Sequence, residues 1–165
     1  MAFIICNVLC IAVLVGIDQA IKAWAVAVLA PVGSMPLIPH IVELRFVLNE
    51  GMAFSMLSGR QTLLIVVTSI TIVVLAWYLF RRCRGRLLRQ ITMLLLVSGG
   101  IGNLIDRVLN GRVVDYINLL FMHFAVFNFA DICVTVGVAL LVLCILLEGE
   151  PEDTTAVDGT KETDR

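Results

Sequence analysis

Charge is scarce in this chain: Asp, Glu, Lys and Arg make up 15% of it, against 60% hydrophobic residues. A soluble globular domain carries about a quarter charged residues, so a water-facing surface over most of the chain is excluded. Proline is nearly missing from the apolar runs, because Pro31, Pro36 and Pro39 crowd into one short segment. The runs can therefore be unbroken helices. Histidine occurs twice, as His40 and His123, with no HExxH or clustered ligand spacing, so no metal site and no cofactor are predicted. The cysteines, Cys6, Cys10, Cys83, Cys133 and Cys144, are odd in number and form no CxxC. They read as small buried hydrophobes, not as a disulfide framework. No glycine-rich phosphate loop and no Ser/His/Asp arrangement is evident.

What remains is an all-α membrane protein with four transmembrane helices. Residues 3–29, 61–80, 87–105 and 126–147 are each long enough and apolar enough to cross the hydrocarbon. The first run lacks the basic leader and cleavage site of a secretory signal and reads as a retained span. Arg81, Arg82, Arg84, Arg86 and Arg89 lie between spans two and three. Positive loops favour the cytoplasm, which puts both termini there and segments 30–60 and 106–125 outside. The arginine loop is too short to present an element that reads nucleic acid. Residues 1–147 form one domain. Residues 148–165 carry seven acids against Lys161 and Arg165, and read as a disordered cytoplasmic tail.

The outer segments are more than loops. Apolar and polar residues alternate through Val42–Val47, which predicts a small extracytoplasmic β-ribbon or cradle at the membrane surface. GMAFSML, residues 51–57, reads as a short interfacial helix, with Met35, Leu37, Phe46, Met52 and Phe54 as lipid-side anchors.

Against this background four aspartates stand out: Asp18, Asp106, Asp115 and Asp131. A carboxyl group at membrane depth is costly, and it marks a functional site or a buried pair. Asp18 and Lys22 share one helix face at i and i+4, either as a structural ion pair or as a contact for a substrate head group. Asn103 and Arg107 flank Asp106, which reads as a hydrogen-bonded brace more readily than as a catalyst. Asp115, in VVDYI, lies in extended sequence. Asp131 follows Asn128 by three residues, so either polar residue can cap the last span or serve a site. Asn49 and Gly51 read as a turn, or as a grip on an extended substrate. Two carboxyls held close share one proton. One can then activate water while the other supports the attacked carbonyl oxygen. Asp115 and Asp131 are the two that local partners leave available.

Taken together, DQAIK (Asp18 to Lys22), NEGMAFS (Asn49 to Ser55), GGIGNLIDR (Gly99 to Arg107), VVDYI (Val113 to Ile117) and FNFAD (Phe127 to Asp131) resemble lipoprotein signal peptidase, or signal peptidase II. The resemblance implies a bacterial inner-membrane aspartic endopeptidase without metal. Such enzymes remove signal peptides from prolipoproteins, cutting just before a cysteine that already carries diacylglycerol. It places the catalytic pair on Asp115 and Asp131. Its supporting positions fall on Asp18, Lys22, Asn49, Gly51, Asn103, Asp106, Arg107, Asn128 and Ala130. It also implies inhibition by the cyclic peptide globomycin. Met52 stands where the family usually has Ala, and Tyr116 where Phe is common. Nothing in the sequence demands more than a monomer in membrane lipid.

Overall fold

In the first helix, α1 (Ala2–Trp24), the buried residues are Asn7, Asp18 and Lys22, while Ile4, Leu9, Val13 and Ile17 are exposed. In water that pattern would be inside out. In lipid it is the stable one, because apolar side chains meet acyl tails and polar groups turn inward to find partners. The computed structural model describes residues 1–51 and 60–148. Among these, α1, α2 (Gln61–Arg82), α3 (Leu87–Asn110) and α4 (Phe129–Glu148) are long and apolar enough to span a membrane. The proposed interfacial helix at 51–57 falls almost wholly outside the described residues, as do Met52, Phe54 and the tail from residue 149.

Helix α3 packs against each of the other three. Two missing Cβ atoms make this close approach possible. A Cβ on Gly99 would lie 2.5 Å from the Ala130 carbonyl oxygen of α4, and one on Gly102 would lie 2.6 Å from Asp18 Oδ2 of α1. The helix runs five residues beyond the predicted end at 105. Asp106 pairs with Lys22 and the Arg107 terminal nitrogens donate to two carbonyls within the fold, so their charge does not stop it. Gly111, at φ 69°, ends it, with its N–H bonded to the Arg107 carbonyl.

The two segments between spans one and two and between spans three and four build a three-stranded antiparallel sheet in the order β1 (Ser34–Ile38), β2 (Val42–Asn49), β3 (Val113–Leu119). It is therefore wider than a two-stranded ribbon, since VVDYI joins it with Asp115 opposite Val47. Met35 and Phe46 are not lipid anchors. They pack with Leu44 on Ala25, Leu29, Val114 and Tyr116, where the sheet meets a π-helical turn, Ala25–Leu29, that continues α1. Leu37 is exposed. The cysteines are all free, but only Cys83, Cys133 and Cys144 are buried; Cys6 and Cys10 are exposed on α1.

Candidate active site

The site is organised by the buried start of α4. The first N–H groups of any helix lack intrahelical partners, and in an apolar setting each must be satisfied by something else. Here every one is. Asn128 Oδ1 accepts from the Asp131 N–H at 3.0 Å, and Asp131 Oδ2 accepts from the Asn128 N–H at 3.1 Å. This is a reciprocal capping box. Asp18 Oδ1 accepts from the Ala130 N–H at 3.0 Å, and the Tyr116 hydroxyl oxygen accepts from the Phe129 N–H at 3.1 Å. The sequence left capping and a functional role as alternatives for Asn128 and Asp131. Their geometry accommodates both, because the cap fixes the Asp131 carboxyl in place.

Asp115 comes from the middle of β3, and only 1% of its surface is exposed. Asn49 Nδ2 donates to its Oδ2 at 2.9 Å, and Asn128 Nδ2 donates to its Oδ1 at 2.6 Å. Asn128 thus touches both carboxyls, one with its side chain and the other with its backbone. Asn103 Nδ2 donates to the free side of Asp131, Oδ1, at 2.8 Å. Both carboxyls line one cavity of about 650 Å³ between α2, α3 and α4. A second pocket of about 420 Å³ reaches Asp115 from the sheet side, past Leu48, His123 and Phe124.

Behind the pair sits a buried charge cluster. Lys22 Nζ lies 2.9 Å from Asp18 Oδ2, from Asp106 Oδ2 and from Asn103 Oδ1. Those three acceptors account for all three ammonium protons. The ion pair between Asp18 and Lys22 is present within α1, and it extends to Asp106 of α3. For Asp106 the local expectation needs correction. Its carboxyl bonds Lys22, Gln19 and the Val114 N–H, whereas Asn103 turns to Asp131 and Arg107 donates to the carbonyls of Asn103 and Gly51. Tight packing at Gly102 brings α1 close enough to outcompete the sequence neighbours. Gly51 is held from both sides, its N–H bonded to Asn49 Oδ1 and its carbonyl to Arg107.

All eleven site residues named from sequence therefore belong to one connected polar network. Two further members were missed. Gln19 Nε2 contacts Asp18, Asp106 and the Gly102 carbonyl, each at 3.2 Å. Its polarity inside an apolar run was the available signal. In sequence Tyr116 stands out only as a departure from the family's common Phe, yet its hydroxyl holds the α4 terminus.

The family model described as Signal peptidase (SPase) II matches residues 10–147. The chain belongs to the signal peptidase II family. Lipoprotein signal peptidases of Streptococcus pyogenes serotypes M2 and M3 are 43% and 42% identical over 141 residues, covering 86% of this chain and 93% of theirs. Among solved structures, a bacterial membrane enzyme obtained by the in meso method at 2.3 Å resolution superposes with TM-score 0.78. It shares 31% identity and covers 96% of this chain and 94% of its own. Another, at 1.9 Å, gives TM-score 0.77 at 34% identity, over 87% of this chain and 94% of its own. This signal peptidase II chain is accordingly a membrane peptidase with a lipoprotein signal peptidase function.

Electrostatics at the part of the site carried by β3, outside the four long helices, follow from burial. Desolvation lifts the Asp115 carboxyl to about 6, the Asn49 and Asn128 amides hold it down, and the negative Asp131 adds to the rise. Desolvation likewise pushes the Tyr116 phenol up to about 12, so it stays protonated as a partner for α4. A carboxyl raised on folding contributes stability that is complete below pH 4 and lost as pH rises through about 6. The swing is on the order of 3 kcal/mol. Asp115→Asn cannot titrate, so the melting-temperature difference between the two proteins should move in the variant's favour between pH 4 and 7. Thermal unfolding in detergent reads this directly, and a pH-independent difference contradicts it.

Proposed function

We propose that the chain is an aspartic endopeptidase that removes signal peptides from diacylglyceryl-modified prolipoproteins, cutting just before the lipidated cysteine. The observation that carries this reading is a buried carboxyl, Asp115, and a half-buried one, Asp131, bridged by Asn128 and open to one cavity walled by membrane helices. Sharing one proton, the ionised member takes a proton from water as it attacks the scissile carbonyl. The protonated member hydrogen-bonds the carbonyl oxygen and later helps the amine leave. Asn49, Asn103 and Asn128 each hold a carboxyl oxygen and so fix the pair's orientation. Asp18, Lys22 and Asp106 support that layer from behind, Ala130 presents its N–H to Asp18, and Arg107 clamps Gly51.

The reading includes location. The enzyme lies in the bacterial inner membrane as a monomer, with both termini cytoplasmic and the pair at the extracytoplasmic face, where water meets the scissile bond while acyl chains stay in lipid. Globomycin, as a cyclic peptide, would occupy the same cavity and inhibit.

The test uses purified protein in detergent with one prolipoprotein, either diacylglyceryl-modified or unmodified. Mass spectrometry should find the modified protein cut to leave the lipidated cysteine as its new N-terminus, with globomycin blocking the cut. No cleavage, or equal cleavage of the unmodified form, contradicts the proposal.

A further inference from the structure

Below the carboxyl pair the cavity becomes a groove between α2 and α4, with Gly99 and Gly100 of α3 lining it. Its lining at that depth is aliphatic or glycine except for two hydroxyls, Thr68 on α2 and Thr135 on α4. Thr135 is four residues beyond Asp131, hence roughly 6 Å deeper on the same helix face. Thr68 is seven residues, roughly 10 Å, into α2 from Gln61, whose side chain is tied to the Glu50 carbonyl beside Asn49.

A threonine inside a helix commonly bonds its own i−4 carbonyl. Thr71 and Thr92 do so, at 2.9 and 2.8 Å. Among the described residues, Thr68 and Thr135 make no such bond. Both threonines line the cavity, one from each helix that walls the groove, and among the described residues neither side chain has a hydrogen-bond partner.

A substrate cut at Asp115 and Asp131 has a matching need. The scissile carbonyl cannot be attacked while it is bonded within a helix, so the residues just upstream must be unwound. Those residues enter the groove, where lipid offers nothing to their exposed amide groups. We infer that Thr68 and Thr135 are substrate-positioning residues that hydrogen-bond the unwound backbone of the signal peptide just upstream of the cut. Each hydroxyl both donates and accepts, so it serves a C=O or an N–H. The contact is to backbone and fits many signal sequences.

This inference rests on the proposed function, and the experiment separates the two. Steady-state cleavage of the diacylglyceryl-modified substrate is measured for wild type, Thr68→Val, Thr135→Val, both together, and the Thr→Ser counterparts. Valine keeps the shape and removes the hydroxyl. Each valine variant should raise KM about three- to tenfold, the pair more, with kcat unchanged, and serine should restore KM. Thermal unfolding should stay near wild type in every variant. The ester carbonyls of the diacylglyceryl group are the other acceptors these hydroxyls could meet. A substrate with ether-linked chains lacks them, and the valine effect should persist on it. Unchanged KM in the double variant, or a valine effect that disappears on the ether-linked substrate, overturns the inference. Failure of wild type to cleave the modified substrate would instead remove the proposed function beneath it.

Discussion

Lys22→Met is expected to lower the melting temperature in detergent by about 10 °C or more. The substitution removes one cation and strands two carboxylates, since Asp18 and Asp106 each lie 2.9 Å from the ammonium and are almost wholly buried. Breaking a buried pair from one side costs about 3–5 kcal/mol, because the remaining charge keeps its desolvation penalty. Against a typical total of about 5–15 kcal/mol, that is a large share of stability. The consequences spread along defined bonds. Asp18 holds the Ala130 N–H, and Lys22 holds Asn103, which in turn holds Asp131. If the cost lies in unpaired charge, then adding Asp18→Asn and Asp106→Asn to Lys22→Met should recover most of the loss. A single variant that melts within two or three degrees of wild type would contradict this account of the cluster.

How much of this arrangement is legible in the sequence depends on the range of the interaction. The four spans can be read directly, because lipid demands long apolar runs and tolerates few exceptions. The ion pair of Asp18 with Lys22 can be read from helical spacing alone. So can the capping relation of Asn128 and Asp131, although spacing does not reveal that one pair of residues both caps a helix and frames a cavity. Asp106 shows where local reading stops. Its sequence neighbours are polar and available, yet its partners come from α1, drawn in by the absent Cβ of Gly102. Met35 and Phe46 fail for a similar reason: apolar residues on an outer segment look like lipid anchors until the sheet folds back onto Ala25 and Leu29. Gln19 and Tyr116 were visible as polar groups in apolar surroundings, but their targets are backbone and side-chain atoms far away in the chain.

The second large effect concerns chemistry. Replacing either Asp115 or Asp131 by Asn keeps size and shape while removing the ability to exchange a proton. An amide neither takes a proton from attacking water nor shares one with the remaining carboxyl. General acid and base assistance is worth about a hundred- to ten-thousandfold, and the proposed mechanism gives the pair both roles, so each single variant should lose roughly a thousandfold or more. If the two groups act as one unit, as proposed, the double variant should be hardly worse than either single one. Near pH 4, where the Asp115 carboxyl is still protonated, stability should respond far less, because an asparagine oxygen can still accept from Asn128 at either position. The same substitution at Asp106, which faces Lys22 and not the cavity, should act mainly by loosening the fold.

The decisive measurement is single-turnover cleavage of one diacylglyceryl-modified prolipoprotein by wild type, Asp115→Asn and Asp131→Asn, each shown by thermal unfolding to be folded. Two working carboxyls predict rapid release of the signal peptide by wild type and at least roughly a thousandfold slower release by both variants. Release at comparable rates by either folded variant would contradict the claim that these two side chains cut the substrate.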